Sequence, residues 1–558
     1  MNRREFIEKG TLAALGAAAV GKSTGLASLI PAPQPAAQRA RVNVLWGDHL
    51  GKINPNVYGH FTEHLGGCIY DAMWVGEGSA IPNDGGVRKD TAEAMKRIKA
   101  PMIRWPGGCF ADQYHWRDGI GPRAKRPRTW NIWWGRDESN QFGTDDFMKY
   151  CKMSGSEPYL CFNVGSGTPA EALDWLEYCN GKESTSLAAM RAANGHPDPY
   201  NVRYWSIGNE NWGCGGNFDA EDYAREYARY ATYLGRFAEG SKAEFVACGL
   251  FLGDWNQKFF ETLLRRPFAR GRIQGVQHLS VHHYYFGCGD ATKFTDDDYF
   301  WAFANIRILE RFIKETRAIV EHYTMGKDRI GIALDEWGIW HPVPQTGSEG
   351  LLQPNTLRDA LLAAATFNMM HSFGDAISMA NIAQTFNVLQ AMAFTKGPKM
   401  ALTPTYYAFD LFQPHMGAMS LKTLVDSPTF TGKITASVPL EMQDWVLTTT
   451  GGRREFPSEY LSASASWNES ANQVCVSLVN AHLTEPMEVE INIAGPGSPA
   501  VRGGTMRELT SASVHDENTL DKPDVIRTSA PKQLSVSGSK FVHTIPAHTA
   551  QSLVLSVG

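Results

Sequence analysis

The sequence feature that most limits the possible folds is a repeated alternation of short apolar segments with longer helical patterns. The apolar segments are rich in β-branched and aromatic residues, which favours buried strands. Eight strand candidates of this kind occur in order: Val57–His64, Met102–Gly107, Pro158–Gly165, Val202–Glu210, Phe245–Phe251, His278–Tyr285, Ile330–Trp337 and Ala376–Gln384. Strands that alternate with helices predict a parallel sheet, and eight such repeats predict a (β/α)8 TIM barrel.

After residue 417 the pattern changes to short alternating strands separated by turn residues. The strand candidates in this part are Lys433–Val438, Tyr460–Trp467, Gln473–Val479, Met487–Ile493 and Ser552–Ser556. They predict a C-terminal all-β sandwich over residues 418–558, after a catalytic barrel over residues 57–417. We expect the strand within residues 41–56 to join the sandwich. The sandwich has no acidic or nucleophilic cluster of its own, so a role in bracing the barrel is favoured over carbohydrate binding.

The first 40 residues have the pattern of an export signal. Arg3 and Arg4 precede a small apolar run, Thr11–Val20, and a linker rich in Pro and Ala follows. The run is too short and too rich in Ala and Gly to span a membrane, which takes about 20 apolar residues. The alternative is an ordinary helix with a chance arginine pair. We interpret residues 1–40 as a twin-arginine signal peptide and linker, which predicts a periplasmic or secreted protein that is not held in a membrane after processing.

Charge and cysteine content exclude other classes of protein. The formal net charge of -5 argues against a nucleic acid as the main partner. The nine cysteines show no CxxC spacing, so neither a metal nor a redox cofactor is predicted. Because the twin-arginine route carries folded proteins, the cysteines need not pair, and most are expected to be buried as small apolar side chains.

Acidic residues end two strands that are three repeats apart. Glu210 follows Asn209 at the end of the fourth predicted strand, where the alternative role is to cap the next turn. Asp335 and Glu336 end the seventh strand, and only one of them can face the barrel mouth because strand side chains alternate in direction. The carboxyl ends of barrel strands share one rim, so Glu210 and Glu336 should face each other. Two facing carboxyl groups are what glycoside hydrolysis requires.

Several sequence blocks resemble those of the family 51 glycoside hydrolases, the retaining α-L-arabinofuranosidases, over nearly the whole chain after the export signal. The matching blocks are Tyr58–Gly66, Arg104–Phe110, Tyr114–Pro122, Ile207–Glu210 and Asp335–Trp337. The resemblance implies an exo-acting enzyme that removes α-L-arabinofuranosyl groups from arabinan or arabinoxylan fragments. It also implies a homo-oligomer, since the relatives tend to assemble.

The resemblance further implies a role for individual residues. Glu210 is expected to be the general acid/base and Glu336 the nucleophile. At a separation of about 5 Å, the negative charge on one carboxyl group keeps the proton on the other. The implied sugar-binding residues are Glu63, Arg104, Asn209, Tyr284 and Gln384. For Glu63 and Arg104, the alternative role is a structural ion pair.

The loop after the second strand supplies further candidates. Trp116, Trp130, Trp133 and Trp134 lie beside the basic run Arg123–Arg128, and we interpret this loop as a wall of the rim. One or two of its indoles, Trp134 among them, are expected to stack on a sugar while the others pack inside. Cys109 is a predicted substrate-binding residue that departs from the family pattern, which more often has Asn there. A thiol is a poor substitute for an amide, so the departure affects the expected preference for the arabinofuranosyl ring.

Other functions remain open at the level of the sequence. Because of Cys109, the same retaining chemistry could act on a β-xyloside, a β-glucan or a galactofuranoside. A non-catalytic carbohydrate-binding protein on the same barrel is a further alternative, against which both carboxylates argue. His282 and His283 suggest a metal site, but adjacent strand residues diverge and no third ligand has suitable spacing, so we expect a polar pair at a strand end.

Overall fold

The computed structural model describes residues 38–558, apart from residues 183, 266–274, 327–328, 435–449 and 451. The expected signal peptide, up to residue 37, lies outside the described residues. So does most of the strand predicted over Lys433–Val438. Among the helices of the described part of the chain, none is both long and apolar enough to cross a membrane.

Eight parallel strands close into a barrel in chain order, which confirms the predicted fold class. The first to eighth barrel strands are Gly59–Phe61, Met102–Trp105, Glu157–Phe162, Tyr204–Ile207, Glu244–Cys248, His278–Tyr285, Gly331–Ile339 and Ile377–Ala383. Most predicted strands were too long at their carboxyl ends. The fourth strand ends at Ile207 because Gly208 has a φ of 84°, which is incompatible with an extended strand.

A helix follows every barrel strand and packs on the outside of the barrel. The α-helices are Lys89–Arg97, Thr144–Ser154, Pro169–Asn180, Ser186–Ala193, Ala220–Phe237, Trp255–Leu264, Asp296–Thr324, Leu357–His371 and Pro404–Phe412. Thr168 caps the third of these, since its side chain accepts a hydrogen bond from the Glu171 backbone and Pro169 takes the first helical position.

Single turns of 3-10 helix and short ribbons occur in the connecting loops. The turns are Pro55–Tyr58, Cys109–Gln113, Trp116–Gly119, Arg123–Lys125 and Gln413–His415. The ribbons pair Asn83–Asp84 with Val87–Arg88, Thr129–Asn131 with Arg136–Glu138, Ala393–Lys396 with Lys399–Leu402, and Thr429–Lys433 with Glu455–Glu459.

The barrel interior changes from apolar to charged towards the carboxyl ends of the strands. Its amino-terminal layer is an apolar cluster that includes Met102, Tyr159 and Met379. Arg104 lies two positions after Met102, so both side chains point to the same side of the second strand. The arginine is fully buried above the apolar layer. The charged groups are therefore collected at the end of the barrel where loops can form an active site.

The C-terminal part of the chain forms a nine-stranded sheet with its own apolar core. In spatial order its strands are Lys532–Leu534, Val501–Leu509, Thr549–Val557, Gln473–Asn480, Leu461–Asn468, Met419–Asp426, Gln38–Lys52, Met487–Ala494 and Lys540–Ile545. The early strand Gln38–Lys52 pairs antiparallel with Met419–Asp426 and parallel with Met487–Ala494. Val501 and Ile545 come from opposite ends of this order and share one core. The sheet therefore folds over itself as a sandwich.

Buried hydrogen bonds connect a barrel helix to the sandwich. His371, at the end of the helix Leu357–His371, bonds to the Ser464 hydroxyl at 2.8 Å. His415 bonds through both ring nitrogens to Ser466 and Ser477, at 2.8 and 2.7 Å. Burial lowers the pKa of His415 to about 3, so the ring stays neutral and can both donate and accept.

Candidate active site

Two carboxyl groups face each other at the carboxyl-terminal end of the barrel. Glu210 lies in the turn after the fourth strand, and Glu336 lies within the seventh strand. One carboxylate oxygen of Glu210 and one of Glu336 lie within 4.8 Å of each other. The neighbouring acid, Asp335, is fully buried and accepts hydrogen bonds from Tyr159 of the interior layer at 2.7 Å and from Asn381 at 3.1 Å. The strand register shifts by one residue between Leu334 and Glu336, so Asp335 is a buried acid in the barrel whereas Glu336 lines the cavity.

Glu336 is held as an anion by the groups around it. Arg104 donates from Nη1 to Oε1 at 2.9 Å, and the Tyr284 hydroxyl donates to Oε2 at 2.7 Å. His282 Nδ1 lies 3.6 Å from Oε1. Burial alone raises the pKa of Glu336, but the charges of His282 and Arg104 and the two hydrogen bonds outweigh it and hold that pKa below its ordinary value. Glu336 therefore stays ionised to a lower pH than a free glutamate.

Glu210 sits in a sharp turn that directs its side chain at the same point. Its φ of 41° lies in the left-handed region, which is uncommon for a residue with a side chain. Backbone N–H groups of Gly213 and Gly215 donate to its carbonyl oxygen at 2.7 and 3.1 Å and stabilise the turn. His282 Nδ1 lies 2.9 Å from Glu210 Oε1. One imidazole therefore contacts both carboxyl groups.

His282 was not among the predicted site residues, although a signal for it is present in the sequence. It precedes Tyr284 by two positions on the sixth strand, so both side chains point to the same side. Burial lowers the pKa of His282, but the charges of Glu336 and Glu210 raise it above its ordinary value. The ring therefore carries a positive charge between the two acids over a wider pH range than a free histidine.

The proximity of these three groups bears on the predicted absence of a metal. Within the described part of the chain, Glu210, His282 and Glu336 place one donor atom each within 4.8 Å of one another. The spacing of residues in the sequence did not indicate this cluster, because the two carboxylates beside His282 come from other strands and meet it only in the folded chain. The Arg104 guanidinium already lies 2.9 Å from Glu336 and repels a further cation.

Arg104 and Asn209 lie behind the carboxyl groups. Arg104 Nη2 donates to Asn209 Oδ1 at 2.5 Å, and both side chains are buried. The Asn209 backbone in turn donates to Asp112 Oδ2 at 2.9 Å. Asp112 also accepts from the backbones of Val164 and Gly165, at 2.7 and 2.8 Å, and so ties together the ends of the third and fourth strands. Asp112 was missed by the sequence reasoning, since nothing in its local pattern distinguishes it.

The carboxyl groups open into a cavity of about 540 Å³. Five of the predicted binding residues line it together with both acids: Glu63, Cys109, Trp134, Tyr284 and Gln384. Glu63 accepts hydrogen bonds from the Phe110 backbone at 2.9 Å, Trp134 Nε1 at 3.1 Å and Gln384 Nε2 at 3.2 Å. Burial and the negative charge of Glu336 raise the pKa of Glu63 to about 7. The cavity therefore holds a third carboxyl group whose charge changes near neutral pH.

Much of the remaining wall is apolar. Its aromatic side chains are Phe61, Trp212, Phe286 and Trp340, and its aliphatic part includes Val343, Leu351 and Leu389. Aromatic faces beside a few convergent polar groups are typical of sites that bind sugars through both stacking and hydrogen bonds. Trp212, Phe286 and Trp340 were not singled out from the sequence, since they lie in three separate loops.

The tryptophan-rich loop is divided between the interior, the cavity and the surface. Trp116 is buried and lies parallel to Trp175, with ring centroids 6.4 Å apart. Trp134 lines the cavity, whereas Trp130 is 58% exposed. Trp133 is also exposed.

The basic run in this loop forms ion pairs within the chain. Arg123 and Arg126 both bind Asp146, at 2.7 and 3.3 Å, and Arg128 binds Asp137 at 2.9 Å. These charges are therefore paired with acidic residues of the same chain.

Cys109 does not carry a thiol. It forms a disulfide with Cys214, with the two Cα atoms 5.4 Å apart, and so joins the loop after the second strand to the turn that carries Glu210. The interpretation of Cys109 as a thiol in place of an amide is therefore wrong. No local spacing indicates this pairing, because 105 residues separate the two cysteines. The other seven cysteines are free and buried, as expected for most of the nine.

Comparisons with known proteins identify the family. A family model described as the α-L-arabinofuranosidase 1 domain matches residues 94–270, and one described as the α-L-arabinofuranosidase C-terminal domain matches residues 335–549. An intracellular exo-α-L-arabinofuranosidase of Bacteroides ovatus is 36% identical over 93% of this chain and 96% of its own length. The crystal structure of the GH51 arabinofuranosidase from Xanthomonas axonopodis pv. citri is 33% identical, with a TM-score of 0.82 over 93% of this chain and 100% of that one. The chain belongs to the family 51 α-L-arabinofuranosidases.

A second family 51 structure supports the same assignment. The α-L-arabinofuranosidase from Thermotoga maritima, solved as an arabinose complex, is 32% identical with a TM-score of 0.79 over 92% of this chain and 99% of that one. As a member of this family, the chain is a glycoside hydrolase that acts on α-L-arabinofuranosides. The alternative of a non-catalytic carbohydrate-binding protein is therefore excluded.

Proposed function

We propose that this enzyme releases terminal α-L-arabinofuranosyl groups from the side chains of arabinan or arabinoxylan, with retention of configuration at the anomeric carbon. The observation that carries the proposal is the approach of Glu210 and Glu336 to within 4.8 Å. Retaining enzymes place their two carboxyl groups about 5 Å apart, whereas inverting enzymes leave about 6.5–9.5 Å for a water molecule.

In the first step Glu336 acts as the nucleophile. Its carboxylate oxygen forms a bond to the anomeric carbon while the bond from that carbon to the leaving oxygen breaks. Glu210 gives its proton to the leaving oxygen, and the aglycone departs as an alcohol. Arg104, Tyr284 and His282 suit this role for Glu336, since they keep it ionised before the attack.

In the second step Glu210 acts as a base. It takes a proton from a water molecule whose oxygen bonds to the anomeric carbon, and the ester bond to Glu336 breaks. Arabinose is released, and both carboxyl groups return to their initial states. Once the ester forms, Glu336 is uncharged and the repulsion that kept the proton on Glu210 has gone. The same side chain can therefore serve as acid and then as base.

The remaining predicted residues fit the binding of one terminal sugar. Glu63, Gln384 and Trp134 supply polar atoms on one side of the cavity, where they can pair with hydroxyl groups away from the anomeric carbon. Arg104 and Asn209 lie behind the acids, where Arg104 donates hydrogen bonds to both Glu336 and Asn209. The aromatic side chains Trp212, Phe286 and Trp340 are placed to receive the rest of the glycoside.

Substitution of the two acids tests the assignment of roles. Glu336→Ala should abolish turnover of every arabinofuranoside. Glu210→Ala should retain activity on an aryl arabinofuranoside with an activated leaving group, and added azide should raise it by replacing water as the nucleophile. The mechanism is refuted if Glu336→Ala turns over an aryl arabinofuranoside at close to the wild-type rate. Nuclear magnetic resonance of the first-formed sugar distinguishes retention from inversion.

A panel of aryl glycosides tests the choice of sugar. We expect the α-L-arabinofuranoside to be hydrolysed far faster than the β-xyloside, β-glucoside or galactofuranoside. If the β-xyloside, the β-glucoside or the galactofuranoside is hydrolysed faster than the α-L-arabinofuranoside, the alternative that the same catalytic residues act on another sugar is supported.

We also propose that the enzyme is exported. The support is the Arg3–Arg4 pattern, together with a disulfide, since disulfides persist in oxidising compartments. The Bacteroides ovatus relative is named as intracellular, so a direct test is needed. Cell fractionation should find the wild-type chain outside the cytoplasm, and a variant with both arginines changed to lysine inside it. Equal distributions would refute export by this route.

A further inference from the structure

The disulfide between Cys109 and Cys214 lies beside Glu210, one of the two predicted catalytic acids. Cys109 begins the 3-10 turn Cys109–Gln113 after the second strand and lines the cavity. Cys214 lies four positions after Glu210, in the turn that follows the fourth strand. The bond therefore joins two loops that come from different barrel strands and meet at the reaction centre.

The distances show how closely the bond approaches Glu210. Cys214 Sγ lies 3.6 Å from Glu210 Oε2 and 3.9 Å from Asn209 Nδ2. On the other side of the same carboxyl group, His282 Nδ1 contacts Oε1 at 2.9 Å. The carboxyl group of Glu210 is thus bordered by an imidazole at one oxygen and by a sulfur atom at the other.

The residue that precedes Cys109 lies against Glu336. Gly108 precedes Cys109, and a Cβ atom at Gly108 would lie 2.9 Å from Glu336 Oε1 and 3.4 Å from Asn209 Nδ2. The loop that carries Cys109 therefore rests on the nucleophile, and the loop that carries Cys214 holds the proton donor. A single covalent bond connects the two.

We propose that the Cys109–Cys214 disulfide is a positioning device that fixes the proton-donating group of Glu210 relative to Glu336. This inference depends on the roles proposed for the two acids. Glu210 lies outside the regular strand and its side chain is 20% exposed, so a link between the loops limits the movement of its carboxyl group. Displacements of about 1 Å can lower the rate of an enzymatic step by about a hundredfold.

The oxidation state of the sulfur atom also matters for the free oxygen of Glu210. A sulfur atom in a disulfide has no proton to donate, whereas a Cys214 thiol could donate a weak hydrogen bond to Oε2. The disulfide thus leaves Oε2 available to hold the transferable proton and to face the leaving oxygen. Both effects act on proton transfer and should spare steps that need no proton.

Substrates that differ in their leaving group separate this role from a general stabilisation of the fold. A dinitrophenolate leaves without protonation, whereas the alcohol released from a methyl or xylosyl arabinofuranoside needs the proton from Glu210. In the variant C109A/C214A, we expect kcat/KM for the methyl arabinofuranoside to fall at least about tenfold more than for the dinitrophenyl arabinofuranoside. Equal losses on both substrates, or no loss on either, would overturn the proposal.

Reduction of the folded wild-type enzyme gives a second measurement that does not depend on refolding of a variant. A water-soluble phosphine should produce the same selective loss in the wild type and no further change in C109A/C214A. The matched control is C179A, which removes a free buried cysteine of the helix Pro169–Asn180 and should respond to the phosphine as the wild type does. A wild type that keeps its full activity on the methyl glycoside after complete reduction, shown by thiol titration, contradicts the proposal.

The variant E210A separates failure of this inference from failure of the proposed mechanism. If Glu210 is the proton donor, E210A shows the selective loss on the methyl glycoside whatever the disulfide does. A selective loss in E210A without one in C109A/C214A refutes only the positioning role. Without a selective loss in E210A, the assignment of the acid itself is wrong.

Discussion

His282 offers a way to change the charge beside Glu336 without altering either carboxyl group. Its Nδ1 atom lies 3.6 Å from Glu336 Oε1, and the two side chains are only 8% and 7% exposed. For two unit charges at this distance, an effective dielectric constant of about 20 gives roughly 4.6 kcal/mol, or about 3 pKa units. This value is an upper limit for the effect of removing the His282 charge, because water that enters the cavity would also stabilise the Glu336 carboxylate.

The sign of the effect follows from the charges. The positive charge of His282 favours the ionised form of Glu336 and lowers the pKa of that carboxyl group. In His282→Asn, a neutral amide replaces the imidazolium near the position of Nδ1. The pKa of Glu336 should then rise by about one to three units, with Arg104 as the remaining cation. As the pH falls, the Glu336 carboxylate of the variant should therefore become protonated, and cease to act as a nucleophile, at a higher pH than in the wild type.

The measurement is the pH dependence of kcat/KM for dinitrophenyl arabinofuranoside, which needs no protonation of its leaving group. In a Glu63→Gln background, which removes the ionisation of Glu63 near pH 7, the acid limb of this profile reports ionisation of the nucleophile in the free enzyme. It should move to higher pH in His282→Asn by about one to three units.

The control is the adjacent residue His283, which points away and bonds to Asn305. Burial lowers the pKa of His283 to about 4, so it is neutral where the assay is run, and His283→Gln should leave the limb in place. An unchanged limb in His282→Asn, or an equal shift in the control, would refute the reasoning.

Three further substitutions test other parts of the site. Because burial and Glu336 raise the pKa of Glu63 to about 7, KM for an arabinofuranoside should fall as the pH rises through that value, and Glu63→Gln should remove the inflection. Trp134→Phe keeps the ring but loses the hydrogen bond to Glu63, so KM should rise about threefold to tenfold with little change in kcat. Tyr159→Phe removes a 2.7 Å hydrogen bond to buried Asp335, which should cost about 1–3 kcal/mol and lower the unfolding temperature while turnover persists. The first expectation is contradicted if KM of the wild type does not change with pH. The second is contradicted if KM is unchanged in Trp134→Phe, and the third if the unfolding temperature is unchanged in Tyr159→Phe.

The barrel and the positions of the acids could be predicted because each depends on a regular pattern. Apolar segments that alternate with helices indicate parallel strands whatever their exact ends, and acids that end such strands must meet at one rim. His282 could have been found by the same alternation, as it lies two residues before Tyr284, but it was interpreted together with His283 as a polar pair at a strand end.

The features that were missed depend on contacts between separate loops. The pairing of Cys109 with Cys214 requires two loops to approach within bonding distance, which no local spacing reveals. Asp112 acquires its role because three backbone N–H groups converge on it, and that convergence exists only in the folded chain. Burial likewise separates Trp116 from Trp134, although both belong to one aromatic loop.

The hydrogen bond from Gln384 to Glu63 joins the eighth barrel strand to the first, across 321 positions of the chain. The cavity is therefore incomplete until the final strand has taken its place beside the one that was synthesised earliest. A growing chain can acquire turnover only after the eighth barrel strand, Ile377–Ala383, has been synthesised and the ring of strands has closed. During refolding, the recovery of arabinofuranoside hydrolysis therefore reports when the barrel has closed. The fluorescence of a single tryptophan reports only the folding of the segment around it.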